Sequence, residues 1–307
     1  MVAFIFPGQG SQSPGMTRDF HDNFTIAKQA FEEIEDYTNM EIRKIIFHDE
    51  TNKLDLTQFT QICIFASSYA IFKTFISETD FPKKEINVML GHSLGEYSAI
   101  ASSNKISLKE CSLILKKRGE LMNDAVKPNL TGMAALIGKN SDEIQNIILE
   151  NKLNLEIAND NSQIQIVISG RKDELEKSKD IFLNLGVKKF IVLNVSAAFH
   201  SNFMIDAQKK LSQEIEKLNF IQNDIQIISN CDANIHRDTF NIKKNLQNQM
   251  ANKVNWTQSI KKLEEMGHRK IIEIGPSKIL SGLINRISKN FDIVSINQVA
   301  DLKNGSK

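Results

Sequence analysis

Apolar residues recur along this chain in two alternating rhythms. Short apolar runs at residues 1–6 and 86–90, each ending at a glycine-containing turn, read as buried strands. Longer stretches read as helices. Residues 62–76 are dense in apolar side chains and long enough for a buried helix. Ser107-Leu108-Lys109-Glu110 has the form of a capping box, with Ser107 as N-cap and Glu110 three residues on. The helix it opens is expected to run to about Met122, and it sets Cys111, Leu115, Arg118 and Met122 on one stripe.

After Pro128 the rhythm shortens. Residues 133–137 read as a strand, 141–150 as a helix, 155–158 and 164–169 as strands, 172–185 as a helix and 189–193 as a strand. That order, β-α-β-β-α-β, is the split βαβ or ferredoxin-like unit. It interrupts a larger α/β unit that resumes with strands at 225–229 and 270–274. The expected division is a discontinuous large domain, 1–126 with 196–307, and a small subdomain, 127–195.

Composition narrows the classes. With 307 residues and a formal net charge of +1, the chain can bury a sizeable core. It has no basic cluster interleaved with aromatics, so no nucleic acid partner is expected. No unbroken apolar stretch approaches the roughly 18 residues of a membrane span, so no membrane partner is expected either. The start has no basic n-region, and the three cysteines lack C-x-x-C spacing, which suits a reduced, cytoplasmic protein. No His/Cys/Asp cluster has ligand spacing, so no metal is implied.

Chemistry concentrates at Gly91-His92-Ser93-Leu94-Gly95, between the apolar run 86–90 and the helical stretch from Glu96. Strand, G-x-S-x-G and helix together make the context of a nucleophile elbow, which projects a serine Oγ from a tight turn. A serine hydroxyl needs a base. His92 is too close in the chain to fold back on Ser93, and His21, His48, His236 and His268 lie in polar surroundings that read as solvated surface. His200, in Val195-Ser196-Ala197-Ala198-Phe199-His200-Ser201, sits among small residues at a strand end, where bases tend to lie. Between Ser93 and His200 the acids Asp142 and Asp160 fall inside the inserted unit, so either one of them or a backbone carbonyl orients the imidazole. Arg118 breaks the apolar stripe of its helix. It either snorkels, or binds a nearby Glu, or waits for a substrate carboxylate. Phe6-Pro7-Gly8-Gln9-Gly10-Ser11-Gln12 lacks the lysine of a P-loop, and its backbone N–H groups are candidates to complete an oxyanion hole with that of Leu94.

In these residues the chain closely resembles the malonyl-CoA:acyl carrier protein transacylases and the acyltransferase domains of polyketide and fatty acid synthases. The resemblance rests on FPGQGSQ at 6–12, GHSLGEYSA at 91–99, KRGELM at 117–122, IQIVISG at 164–170, VSAAFHS at 195–201, the stretch from Gln249 through Trp256, and IEIGPSKILSGL at 272–283. It implies an α/β fold: an α/β-hydrolase-like large domain with an inserted ferredoxin-like subdomain. It also implies Ser93 as acyl nucleophile, His200 as base, the N–H groups of Gln9 and Leu94 as oxyanion hole, and Arg118 as the carboxylate holder. Gln249 would orient the imidazole through its main-chain carbonyl, and His92, Asn159, Asn161 and Phe199 would line the cleft. Phe199 stands where malonyl-specific members carry a bulky aromatic.

The implied substrates are malonyl-CoA and phosphopantetheinylated acyl carrier protein. No bound cofactor is implied, and the chain is expected to be a monomer that meets the carrier transiently. The chain departs from the family pattern at Asn252-Lys253-Val254, where Asn-Pro-Val is common and a looser loop is expected, at Gln163-Ile164-Gln165 and at Asn194. Two other readings compete: a serine hydrolase or thioesterase using the same elbow, and a non-catalytic carrier-binding module. The second would be marked by loss of Ser93 or His200, and both are present.

Overall fold

The structure is a computed structural model that describes residues 2–50 and 52–305. Met1, at the start of the expected first strand, lies outside the described residues, as do Ser306 and Lys307. The elements follow in the order β1 Val2–Phe6, α1 Arg18–Asn23, α2 Thr25–Thr38, α3 Ile42–Phe47, α4 Thr57–Glu78, β2 Ile86–Gly91, α5 Leu94–Ser102 and α6 Leu108–Asp124. Next come β3 Thr131–Ile137, α7 Ser141–Glu150, β4 Leu155–Ser162, β5 Gln165–Arg171, α8 Lys172–Asn184 and β6 Lys189–Val192. The chain closes with α9 Ile205–Glu216, β7 Gln226–Ile228, β8 Ile235–His236, α10 Thr239–Asn248, α11 Trp256–Glu265, β9 Lys270–Ile274, α12 Ile279–Ile287, β10 Asp292–Ile296 and α13 Leu302–Gly305.

Two sheets result. The larger has the order β10-β9-β1-β2-β7-β8. Its pairs are parallel except β7 with β8. The smaller has the order β4-β5-β3-β6, all antiparallel. β1 and β2 lie next to each other at the centre of the larger sheet, and every residue of β1 is buried. Both faces of β1 therefore need apolar cover, as expected of a parallel strand. Phe4 and Phe6 face a core shared with α2, α4 and α6, while Ala3 and Ile5 face α11 and α12. A separate core lies between the small sheet and α7 and α8.

α4 is apolar all round because helices or sheet cover it on several sides. By length and mean composition its 22 residues could cross a bilayer, although polar residues and Lys73 interrupt its apolar run. In the fold it is a core helix, with 83% of its most apolar window buried.

The expected cap at Ser107 is present. Its Oγ accepts from Glu110 N–H at 3.2 Å and its N–H donates to Glu110 Oε2 at 3.3 Å. Such a cap contributes about 1 kcal/mol. α12 is fixed differently: the buried carboxylate of Glu273 on β9 accepts from the N–H groups of Leu280 at 3.0 Å and Ser281 at 2.8 Å. Those donors belong to a helix start, where an anion is favoured.

Three strand readings shift at one end by two residues or more. β3 begins two residues before the expected 133, and β5 runs two residues beyond the expected 169. β4 continues to Ser162 past the expected end at 158, through two register shifts against β5. Polar Asn159, Asp160 and Asn161 suggest a loop by composition, but segment 252–255 pairs with them. Val254 N–H donates to Ala158 O at 2.9 Å and Asp160 N–H donates to Val254 O at 3.0 Å. The looser loop expected around Lys253 is therefore held to the small sheet on both sides of Val254.

Candidate active site

β2 ends at Gly91 and α5 begins at Leu94, so the chain reverses within His92 and Ser93. A Cβ on Gly91 would overlap the backbone of Gly95, and one on Gly95 would overlap the carbonyl of Phe6. Both glycines are needed for that close approach. Ser93 adopts φ 52°, ψ −110°. For a residue with a Cβ, such a conformation costs about 1–3 kcal/mol and persists only where surroundings over-determine it.

His200 also has positive φ, 55°. Its Nε2 lies 2.9 Å from Ser93 Oγ, and its Nδ1 lies 3.1 Å from the carbonyl of Gln249 and 3.0 Å from that of Asn252. Two carbonyl acceptors at Nδ1 assign the proton there, which leaves Nε2 bare and facing the hydroxyl. Burial, and next the positive charge of Arg118, lower the imidazole pKa to about 3. The ring is therefore neutral and able to accept a proton throughout the ordinary pH range. Neither acid in the interval orients it: Asp142 is exposed, and Asp160 Oδ1 accepts from Thr257 Oγ1 at 2.6 Å. The open choice between acid and carbonyl resolves to two carbonyls.

Arg118 is fully buried on α6. Nη1 donates to Gln61 Oε1 at 2.5 Å, and Nη2 reaches Gln249 Oε1 at 3.0 Å and Ser93 Oγ at 3.1 Å. The guanidinium also lies over the Tyr97 ring at 5.3 Å. Among the described residues none of the hydrogen bonds of Arg118 goes to a carboxylate, and its Nε has no hydrogen-bond partner. Burial lowers its pKa, but a guanidinium stays charged. Its nearest acid, Glu96, is buried, is reached only through the Gln249 amide, and has its pKa raised to about 7. A buried guanidinium with no carboxylate in direct contact is costly, so the snorkelling alternative fails and the site favours an anion.

A cavity of about 360 Å³ opens at these groups. Gln9 and Leu94 line it, and their backbone N–H groups donate to no acceptor among the described residues. Two such donors beside a serine can stabilise charge developing on a carbonyl oxygen. His92 borders the same cavity, with Nε2 2.8 Å from Asn161 Oδ1 and 3.3 Å from Asn159 Nδ2. Phe199, 5% exposed, closes the wall beside His200. All ten residues singled out from the sequence therefore meet at one site: nine line the cavity, and Gln249 lies behind Arg118 and His200.

The acyl transferase domain model matches residues 3–305. The chain belongs to the acyl transferase domain family. Within that family it is 33% identical over 298 residues to the malonyl CoA-acyl carrier protein transacylase of Bacillus subtilis, covering 96% of this chain and 93% of that protein. The transacylase structure from Coxiella burnetii superposes with a TM-score of 0.94 at 31% identity, covering 99% and 96% of the two chains. A malonyl-transacylase solved in complex with a type II polyketide acyl carrier protein gives 0.93 at 31%, covering 98% and 97%.

Sequence reasoning misjudged some side chains of this family member and missed others. His268 is buried, 1% exposed, and is no surface residue. His21 and His236 are half-buried, each 2.9 Å from a carboxylate, of Asp22 and Asp232 respectively. The missed residues are Gln61 and Asn252, described above, together with Glu96 and Asn230. Glu96 is fully buried, and burial raises its pKa to about 7. Its Oε2 accepts from Gln249 Nε2 at 2.7 Å. A glutamate following G-x-S-x-G on an otherwise apolar first turn was the one available signal for it.

Proposed function

We propose that this protein transfers a malonyl group from malonyl-CoA to the phosphopantetheine thiol of an acyl carrier protein, through a malonyl-serine. Ser93 Oγ attacks the thioester carbonyl as His200 Nε2 takes its proton. The tetrahedral oxygen is held by the N–H groups of Gln9 and Leu94. The C–S bond breaks, and the imidazolium returns the proton to the departing sulfur of CoA. In the second half, His200 takes the proton of the carrier thiol, the thiolate attacks the ester, and Ser93 Oγ leaves with that proton. No metal or resident cofactor enters these steps.

The single observation that carries this reading is Arg118: a buried guanidinium with no carboxylate in direct contact among the described residues, 3.1 Å from Ser93 Oγ. A planar fork suits the malonyl carboxylate, and a neutral-acyl hydrolase has no use for it. The similarity to named malonyl transacylases supports the same substrate, and the carrier complex of one of them supports the partner. The reading takes the chain as a cytoplasmic monomer, with 1–126 and 196–307 as the hydrolase-like catalytic domain and 127–195 as the ferredoxin-like subdomain. The test is incubation with labelled malonyl-CoA followed by peptide mass mapping. Label on the peptide bearing Ser93 is expected, and absence of any covalent adduct would sink the proposal.

The pH dependence follows from His200. Its ordinary pKa, near 6.5, would place an acid limb in the physiological range. With the pKa lowered to about 3, kcat/KM for acylation is expected to stay level from about pH 8 down to about pH 5. Removing the neighbouring charge in Arg118→Ala takes away one cause of the lowering, so the limb moves to higher pH in that variant. Rapid-quench acylation rates across this range check both statements. Glu96, raised to about 7, titrates in the same range, so a limb near 6.5 that persists in Glu96→Gln would contradict the burial argument.

Phe199 is expected to disfavour an α-methyl on the acyl group. One methyl is worth about 1–3 kcal/mol, so preference for malonyl over methylmalonyl is expected without exclusion. Competition between the two thioesters measures it in wild type and Phe199→Ser. Equal ratios of kcat/KM in both proteins would mean that Phe199 only packs the strand end.

A further inference from the structure

The strained backbone of Ser93 has a partner outside its own turn. Asn230 follows β7, the next strand to β2 in the sheet, and is 1% exposed. Its Oδ1 accepts from Ser93 N–H at 2.7 Å, and its Nδ2 donates to Gly91 O at 2.7 Å. One amide thus bonds the chain on both sides of His92. Its own backbone is fixed at both ends: the N–H donates to Glu96 Oε2 at 3.2 Å, and the carbonyl accepts from Asn255 N–H at 2.9 Å. The side chain is therefore aimed by a backbone with little freedom to turn. Ser93 N–H is occupied by Asn230, and Leu94, which carries the next N–H along, lines the cavity.

We propose that Asn230 is a positioning residue for acyl transfer, whose side-chain amide clamps Gly91 and Ser93 so that the serine hydroxyl meets His200 and the Leu94 N–H meets the reacting carbonyl. The clamp acts through Ser93 and does not touch the substrate. It rests on the reading of Ser93 as the acyl nucleophile. Losing the clamp leaves Arg118 and the cavity walls in place, so the cost falls on the chemical step rather than on binding. Displacement of a reacting atom by about 1 Å is worth about 100-fold in rate.

The test uses the full chain with Asn230→Ala, which lacks both bonds, and Asn230→Asp, whose carboxylate can accept from Ser93 N–H but cannot donate to Gly91 O. Folding is checked by thermal melting. In each folded variant kcat at saturating malonyl-CoA is expected to fall about 10–100-fold, with KM for malonyl-CoA within about threefold of wild type. Inactivation by a small serine-directed phosphonofluoridate, which needs no malonyl contacts, is expected to slow in step. A lowered melting temperature with wild-type kcat would make Asn230 merely structural and overturn the proposal. So would a change confined to KM. If Asn230→Ala does not fold, Asn230→Asp decides by the same criteria. Failure of wild type to carry malonyl on Ser93 would instead sink the underlying reading. Wild-type labelling with unchanged variant rates sinks the role of Asn230 alone.

Discussion

Ser93→Ala and His200→Ala are each expected to lower malonyl transfer by about 10³–10⁶-fold, and the double variant to be little worse than either single one. Non-additivity is the informative part. The hydroxyl and the imidazole nitrogen are 2.9 Å apart and share one proton, so removing either ends the same event. What remains comes from donors that do not depend on them, the N–H groups beside the cavity and the grip of Arg118. The measurement is single-turnover transfer from labelled malonyl-CoA in wild type, both single variants and the double. Independent, multiplying losses would mean that serine and histidine act in separate steps. A Ser93→Ala rate within about tenfold of wild type would remove the elbow from the chemistry altogether.

Arg118→Ala is expected to cost about 2–5 kcal/mol in malonyl-CoA binding, because a buried carboxylate would lose its charged partner. Acetyl-CoA carries no carboxylate, so the same variant is expected to keep or gain acetyl transfer, and the malonyl-to-acetyl ratio falls. Arg118→Lys is expected to rescue poorly. The guanidinium reaches Gln61 with one terminal nitrogen and Gln249 and Ser93 with the other, and an ammonium cannot span that distance in one plane. Ratios of kcat/KM for the two thioesters in the three proteins decide the matter. An unchanged ratio in Arg118→Ala would detach the arginine from acyl choice.

The parts of this site that were legible in the sequence are those whose signal is local. Ser93 announces itself through glycines two residues to either side, and Arg118 through its place on an apolar stripe four residues before Met122. His200 stood out only against five other histidines in poorer settings. The supporting side chains carry no such signal. Asn230 lies 137 residues from Ser93, and Gln61 lies 57 from Arg118; nothing near either residue in the chain distinguishes it from an ordinary polar side chain. Only the closing of the sheet, with β7 beside β2 and α4 packed on α6, brings them to their partners. The end of β4 was missed for a related reason. Asn159, Asp160 and Asn161 look like loop residues until segment 252–255 arrives from almost a hundred residues away to pair with them. Likewise, the acid sought between Ser93 and His200 could not be dismissed from the sequence, because the carbonyl of any residue can accept from an imidazole N–H whatever its side chain.

Val254 belongs to two parts of the molecule at once. It is bonded to Ala158 and Asp160 on the small sheet, and it lies two residues beyond Asn252, whose carbonyl takes the proton-bearing nitrogen of His200. Swinging the small sheet outward as a jaw would drag Val254 with it and pull one of two acceptors from the imidazole. An open-jawed form would thus be a form with a slackened base. Widening the cleft would leave the imidazole with the Gln249 carbonyl as its one remaining acceptor.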